Sequence, residues 1–204
     1  MSVQPATPPA PAPHEAPPGP GPLADLAAAL RGLVPVLDTP RTRLRAPGLA
    51  DFPAWAAILC SLRAVHMDGP YERDDAFMEF AAAVGSWLLR GHGAFAVEDR
   101  ATGAPLGFVL LGLEPGDHEP ELGYFVLPEA EGRGLAHEAA GAALAWGKAQ
   151  GLPALVSYVD PANARSVRLA ERLGGRRDEA AEAAFAGTEA EGVGVWRHLP
   201  EGAS

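Results

Sequence analysis

Residues 121–136 read Glu121-Leu122-Gly123-Tyr124-Phe125-Val126-Leu127-Pro128-Glu129-Ala130-Glu131-Gly132-Arg133-Gly134-Leu135-Ala136. The apolar and aromatic side chains of 121–127 predict a strand, and Pro128 stops it. The Ala-rich run from Gly134 to Gln150 predicts the helix that follows, ended by Gly151 and Pro153. A strand that turns through small residues into a helix outlines an anion site. The backbone can approach a phosphate there, and free amides and the helix dipole face it. Two glycines at such a turn also suit a plain tight turn. A dinucleotide fold fits poorly, because His137 stands where Gly-x-Gly-x-x-Gly needs its third glycine.

Upstream, Ala94–Glu98 and Leu106–Leu113 predict the two strands of a hairpin around the turn Arg100–Gly103. Two helices precede them. One starts at Asp51 and Pro53 and carries Trp55, Ile58, Leu59 and Leu62 on one face. The other spans about 74–89, with Phe77, Phe80, Val84 and Leu88 on one side. Thr42–Arg45 reads as a strand. Downstream, 154–159 predicts a strand, 161–173 a helix and 193–197 a last strand. A meander followed by a strand–helix–strand crossover predicts an α/β (α+β) fold: a mixed sheet with helices on both faces.

Residues 1–38 are rich in Pro and Ala and predict a disordered tail, with a possible short helix at 23–34 built on Leu23, Leu26, Leu30 and Leu33. Residues 39–204 then form one domain. The formal charge of −10 argues against nucleic acid as a partner, because phosphate backbones need clustered Lys and Arg. No stretch approaches the ~20 apolar residues of a membrane span, and no basic start precedes an apolar segment, so a cytoplasmic location is expected. The one cysteine, Cys60, lies in an apolar run and predicts a buried thiol without a disulfide. The six histidines show no ligand spacing, so no metal is expected.

Four blocks together resemble the GNAT acyltransferase superfamily. They are Glu121–Pro128, Glu131–Ala140, Ser157–Ser166 and Glu171–Gly174. With Thr42–Arg45 and Asp51, they are most similar to the ribosomal-protein alanine N-acetyltransferases, the RimJ/RimL-like branch. The resemblance covers about Arg41 to His198. It implies a twisted, mostly antiparallel sheet split by a V-shaped gap between strands 121–127 and 154–159. The gap would hold the pantetheine arm of acetyl-CoA. The backbone of Phe125 and Leu127 would pair with the arm, and Phe125 would supply the oxyanion amide. The amides of Gly132, Arg133, Gly134, Leu135 and Ala136 would hold the pyrophosphate. Asn163 would meet the pantetheine amide, or cap its helix.

The implied reaction is direct acyl transfer to a primary amine, on a protein N-terminus or a small molecule, by a monomer or homodimer. An ammonium must lose its proton before it can attack. Glu121 is the expected base and Ser166 the expected acid, with His66 or His92 as lesser candidates for the base. Trp55, His66, Tyr71, Trp87 and Tyr124 are candidates for the acceptor pocket. Three residues depart from the family pattern. Glu131 puts a carboxylate where Gln or Arg is usual, and it is expected to face solvent or to pair with Arg133. Ala170 replaces the usual Tyr acid, and Gly175 replaces an aromatic. These departures leave open a catalytically silent module that binds CoA or a partner.

Overall fold

Eight strands form one sheet in the order β1-β2-β3-β4-β5-β6-β8-β7 in a computed structural model that describes residues 12–152, 155–188 and 190–198. The strands are β1 (Leu37–Asp38), β2 (Thr42–Arg45), β3 (Ala94–Asp99), β4 (Pro105–Gly112), β5 (Glu121–Val126), β6 (Leu155–Val159), β7 (Arg176–Arg177) and β8 (Gly194–His198). Every neighbouring pair is antiparallel except β5 and β6. The helices are α1 (Pro22–Arg31), α2 (Phe52–Leu59), α3 (Arg73–Arg90), α4 (Leu135–Ala149), α5 (Ala164–Arg172) and α6 (Glu179–Glu182).

Side-chain alternation along the strands builds one core on each face of the sheet. Phe95, Val97, Val109, Leu111 and Leu122 pack with α4. Ala94, Ala96 and Phe108 pack with α2 and α3 through Phe52, Trp55, Ile58 and Phe80. Ala139, Ala140, Ala143 and Gly147 line the buried side of α4, so small residues let this helix lie close to the sheet. Its first turn is tied to the start of β2. Glu138 accepts from the Arg41 backbone amide and from Arg41 Nε, each at 2.7 Å.

The structure departs from the sequence reading in four places. Helix α2 ends at Leu59, so Cys60 lies past its last turn and is exposed rather than buried. Leu62 and Leu88 are also exposed, at 81% and 73%, and add nothing to the core stripes assigned to them. Within the expected tail, α1 does form, but it buries none of its residues. Other parts of that segment contact the domain. Leu37 pairs with Leu44 and packs on the core, and the buried Glu15 carboxylate accepts from Arg73 at 2.6 and 2.8 Å. Composition alone misses this, because a two-residue edge strand and one ion pair leave no periodic signal.

Candidate active site

Strands β5 and β6 touch at one register point, Glu121 opposite Val156, and then part. Two side chains end the ladder. Ser157 Oγ donates to the Leu122 carbonyl at 2.8 Å, and the Tyr158 backbone amide donates to the Glu121 carboxylate. The Ser157 hydroxyl in turn accepts from His198 Nε2 at 2.9 Å. Burial holds His198 down at about 4, so its ring is neutral and carries that proton. Beyond this point the strands enclose an open V.

The register fixes which backbone groups line the V. The Leu127 amide donates to Leu106, and Phe125 sits opposite Phe108, so both turn their backbone groups toward β4. The carbonyls of Leu122 and Val126 face the other way, accepting from Ser157 and from Arg63 Nη2 at 2.8 and 3.1 Å. The gap-facing groups are therefore those of Leu122, Tyr124 and Val126. This corrects the assignment of arm pairing to Phe125 and Leu127 and of the oxyanion amide to Phe125. The Phe125 ring packs edge-on to Trp55, with centroids 4.9 Å apart.

At the wide end of the V, Gly132 and Gly134 adopt φ of +69° and +74°, a region that L side chains avoid. Gly134 caps α4, and the first hydrogen bond of the helix runs from the Glu138 amide to the Gly134 carbonyl. The amides of Leu135, Ala136 and His137 are thus left without a helical partner. Arg41 Nη1 takes the Arg133 carbonyl at 2.8 Å and fixes the loop from its outer side. The Leu135 side chain is buried, so this residue can offer only its amide.

A cleft of about 1070 Å³ continues from the V toward α2 and α3. Asp68, Glu79, Glu114, Asp117 and Glu121 line it, and none of them forms an ion pair among the described residues. Burial, then the charges of Asp117 and Glu114, push the Glu121 carboxyl up to about 8. Burial also raises Glu114 and Asp117. On the opposite wall His66 Nδ1 lies 2.6 Å from Asp160 Oδ2. The Tyr124 hydroxyl donates to the Ser166 carbonyl at 3.1 Å, and burial raises its pKa.

The sequence profile of the acetyltransferase (GNAT) domain matches residues 41–176. This chain belongs to the GNAT family. An acetyltransferase of Agrobacterium tumefaciens is 35% identical over 82% of this chain and 95% of its own, with a TM-score of 0.75. At 14% identity the likeness is one of fold. It includes the Salmonella typhimurium acetyl transferase that modifies the N-terminal serine of ribosomal protein L7/L12 (TM-score 0.64, covering 82% and 100%). It also includes RimL in complex with coenzyme A (TM-score 0.63, covering 81% and 98%).

As a GNAT N-acetyltransferase the chain draws on acetyl-CoA. The free backbone edge, the small-residue turn and the unpaired helix amides suit such a donor. Glu121, Ser166 and Asn163 all line the one cleft. Asn163 caps α5 by accepting from the Ser166 amide at 3.2 Å through its Oδ1, and its NH₂ has no partner among the described residues. Ala170 is fully buried against Val159 and Trp196, so a Tyr would not fit there. Trp87 packs on Phe95 and Trp146, away from the cleft. Glu131 pairs with Arg63 and Arg165, not with Arg133, whose side chain turns toward Asp99 at 3.9 Å. Sequence reasoning missed Arg63, Arg165 and the His66–Asp160 contact, because each joins elements far apart in the chain. Tyr124, expected at the acceptor pocket, does line the cleft; only its bond to the Ser166 carbonyl was not foreseen.

Among the described residues no helix is long and apolar enough to cross a membrane, and no group of three His, Cys, Asp or Glu residues is placed to hold a metal.

Proposed function

We propose that this protein transfers the acetyl group of acetyl-CoA directly to a primary amine, on a protein N-terminus or a small molecule. One observation carries the reading. A carboxyl with its pKa near 8 stands at the vertex of the V, between the donor gap and an acidic cleft. Unpaired carboxylates attract an ammonium group. Glu121 is matched to remove its proton, because its pKa lies close to that of the amine. The gap-facing amides of Tyr124 and Val126 line the V, where the thioester oxygen would gain charge. The loop amides of Gly132 to Ala136 hold the pyrophosphate, and Asn163 meets the arm through its free NH₂.

The amine forms a C–N bond as the C–S bond breaks, and the departing thiolate takes a proton. Tyr124 and Ser166 supply it as a pair. The phenol is the stronger acid, and its bond to the Ser166 carbonyl holds it in the cleft. His66, oriented by Asp160, receives the amine proton relayed toward solvent.

Mass spectrometry of reactions with acetyl-CoA tests this reading. Peptides with free N-termini and small diamines are the acceptors. One added acetyl group on a primary amine is expected. Hydrolysis of acetyl-CoA with no acylated amine would contradict it.

A further inference from the structure

Two guanidinium groups converge on Glu131 from the two sides of the V. Arg63 comes from the 3-10 turn Leu62–Ala64 after α2, and its Nη2 bonds both the Val126 carbonyl and the Glu131 carboxylate. Arg165 comes from the first turn of α5, on the β6 side, and its Nη1 reaches both Glu131 oxygens at 3.0 Å. The Glu131 carboxyl is held below its ordinary value, first by the Arg63 hydrogen bond. Two positive charges therefore face one negative charge, so the cluster keeps a net positive charge in a chain whose formal charge is −10. Arg63 Nε is buried and has no partner among the described residues. A buried guanidinium donor without a protein partner, beside the Gly132–Gly134 turn, is placed to take an anion.

We infer that Arg63 and Arg165 are ligands for the phosphates of the acyl donor, and that Glu131 stands in for phosphate between them. The inference rests on the acetyl-CoA reading above. Arginine pairs with carboxylate and phosphate by the same forked geometry, so one anion can replace the other. The stand-in explains how a loop with a carboxylate at 131 can still accept a pyrophosphate. Two guanidinium groups face one carboxylate, so the cluster keeps a positive charge to offer a phosphate even with Glu131 beside it. It also gives Arg63 a second role. While paired with Glu131, Arg63 also covers the Val126 carbonyl, a gap-facing group that the pantetheine arm would meet.

Calorimetry on the full chain tests the inference with three probes: CoA, dephospho-CoA and pantetheine, which has no phosphate. Arg165→Ala changes a side chain that is 77% exposed and so leaves the fold intact. Arg63→Ala is checked by its melting curve. Each should weaken CoA binding by about tenfold or more, the usual effect of losing a hydrogen bond to a charged group. The affinity for pantetheine should hold steady or rise. Equal losses with dephospho-CoA would assign the arginines to the pyrophosphate, and smaller losses to the ribose phosphate. Glu131→Gln should tighten CoA by about threefold or more, because it frees both arginines. Wild-type CoA affinity in both arginine variants would overturn the inference, as would weaker binding in Glu131→Gln. Failure of the unaltered protein to bind CoA would instead remove the donor reading on which it rests.

Discussion

The Glu121 carboxylate accepts the backbone amide of Tyr158 at the point where β5 and β6 separate. A side chain thus replaces a ladder hydrogen bond, and the same group is the proposed base at the head of the gap. Burial and the charges of Asp117 and Glu114 raise its pKa to about 8, so it is largely protonated at neutral pH. The acetylation rate should rise with pH through about 8 as the basic form appears. Glu121→Gln should lower kcat roughly 10²-fold or more and abolish that rise. A stopped-assay pH profile of the two proteins checks this.

The same shift links Glu121 to stability. The folded state holds this proton more tightly than the unfolded chain does. Native stability is therefore lost as pH rises from 4.5 toward 8. Glu121→Gln removes the loss. Relative to wild type, its melting temperature should be higher at pH 8 than at pH 5. A parallel pH dependence in the two proteins would show that Glu121 is not dehydrated in the way its position implies.

His198 works in the opposite sense. It is fully buried and held neutral at about 4, against an ordinary 6.5, so the unfolded chain binds the proton better. Stability should fall as pH drops from 6.5 toward 4. His198→Gln keeps a donor for Ser157 and should flatten that acid limb in thermal melts. An acid limb as steep as that of wild type would locate it elsewhere.

Tyr124 and Ser166 are separable by kinetics. If the phenol protonates the leaving thiolate as proposed, Tyr124→Phe should reduce kcat by about tenfold or more with little change in KM for acetyl-CoA. Ser166→Ala should cost less, since its backbone carbonyl still holds the phenol. A greater loss from Ser166→Ala would move the acid to the serine.

The architecture was largely legible from 3.6- and 2-residue periodicity. Strands β2 to β6 and helices α2 to α5 fall close to where those patterns place them. The small-residue turn at Gly132–Gly134 was visible because only a special backbone needs glycine twice in three residues. Backbone direction within β5 was not legible. It depends on which neighbour Leu127 pairs with, a long-range register that no local pattern carries. The partners of Glu131 were hidden for the same reason: Arg63 lies 68 residues away and Arg165 lies 34. The buried Glu15–Arg73 pair spans 58 residues, and truncation of the chain before Pro22 should accordingly lower the melting temperature.

The most direct test of the account is release of the CoA thiol from acetyl-CoA, measured with and without primary amines, for the wild type and for Glu121→Gln. Amine-dependent release should climb through pH 8 in the wild type and nearly vanish in the variant. Saturable CoA binding, with thiol release that no N-terminal peptide or small amine stimulates at any pH, would contradict it.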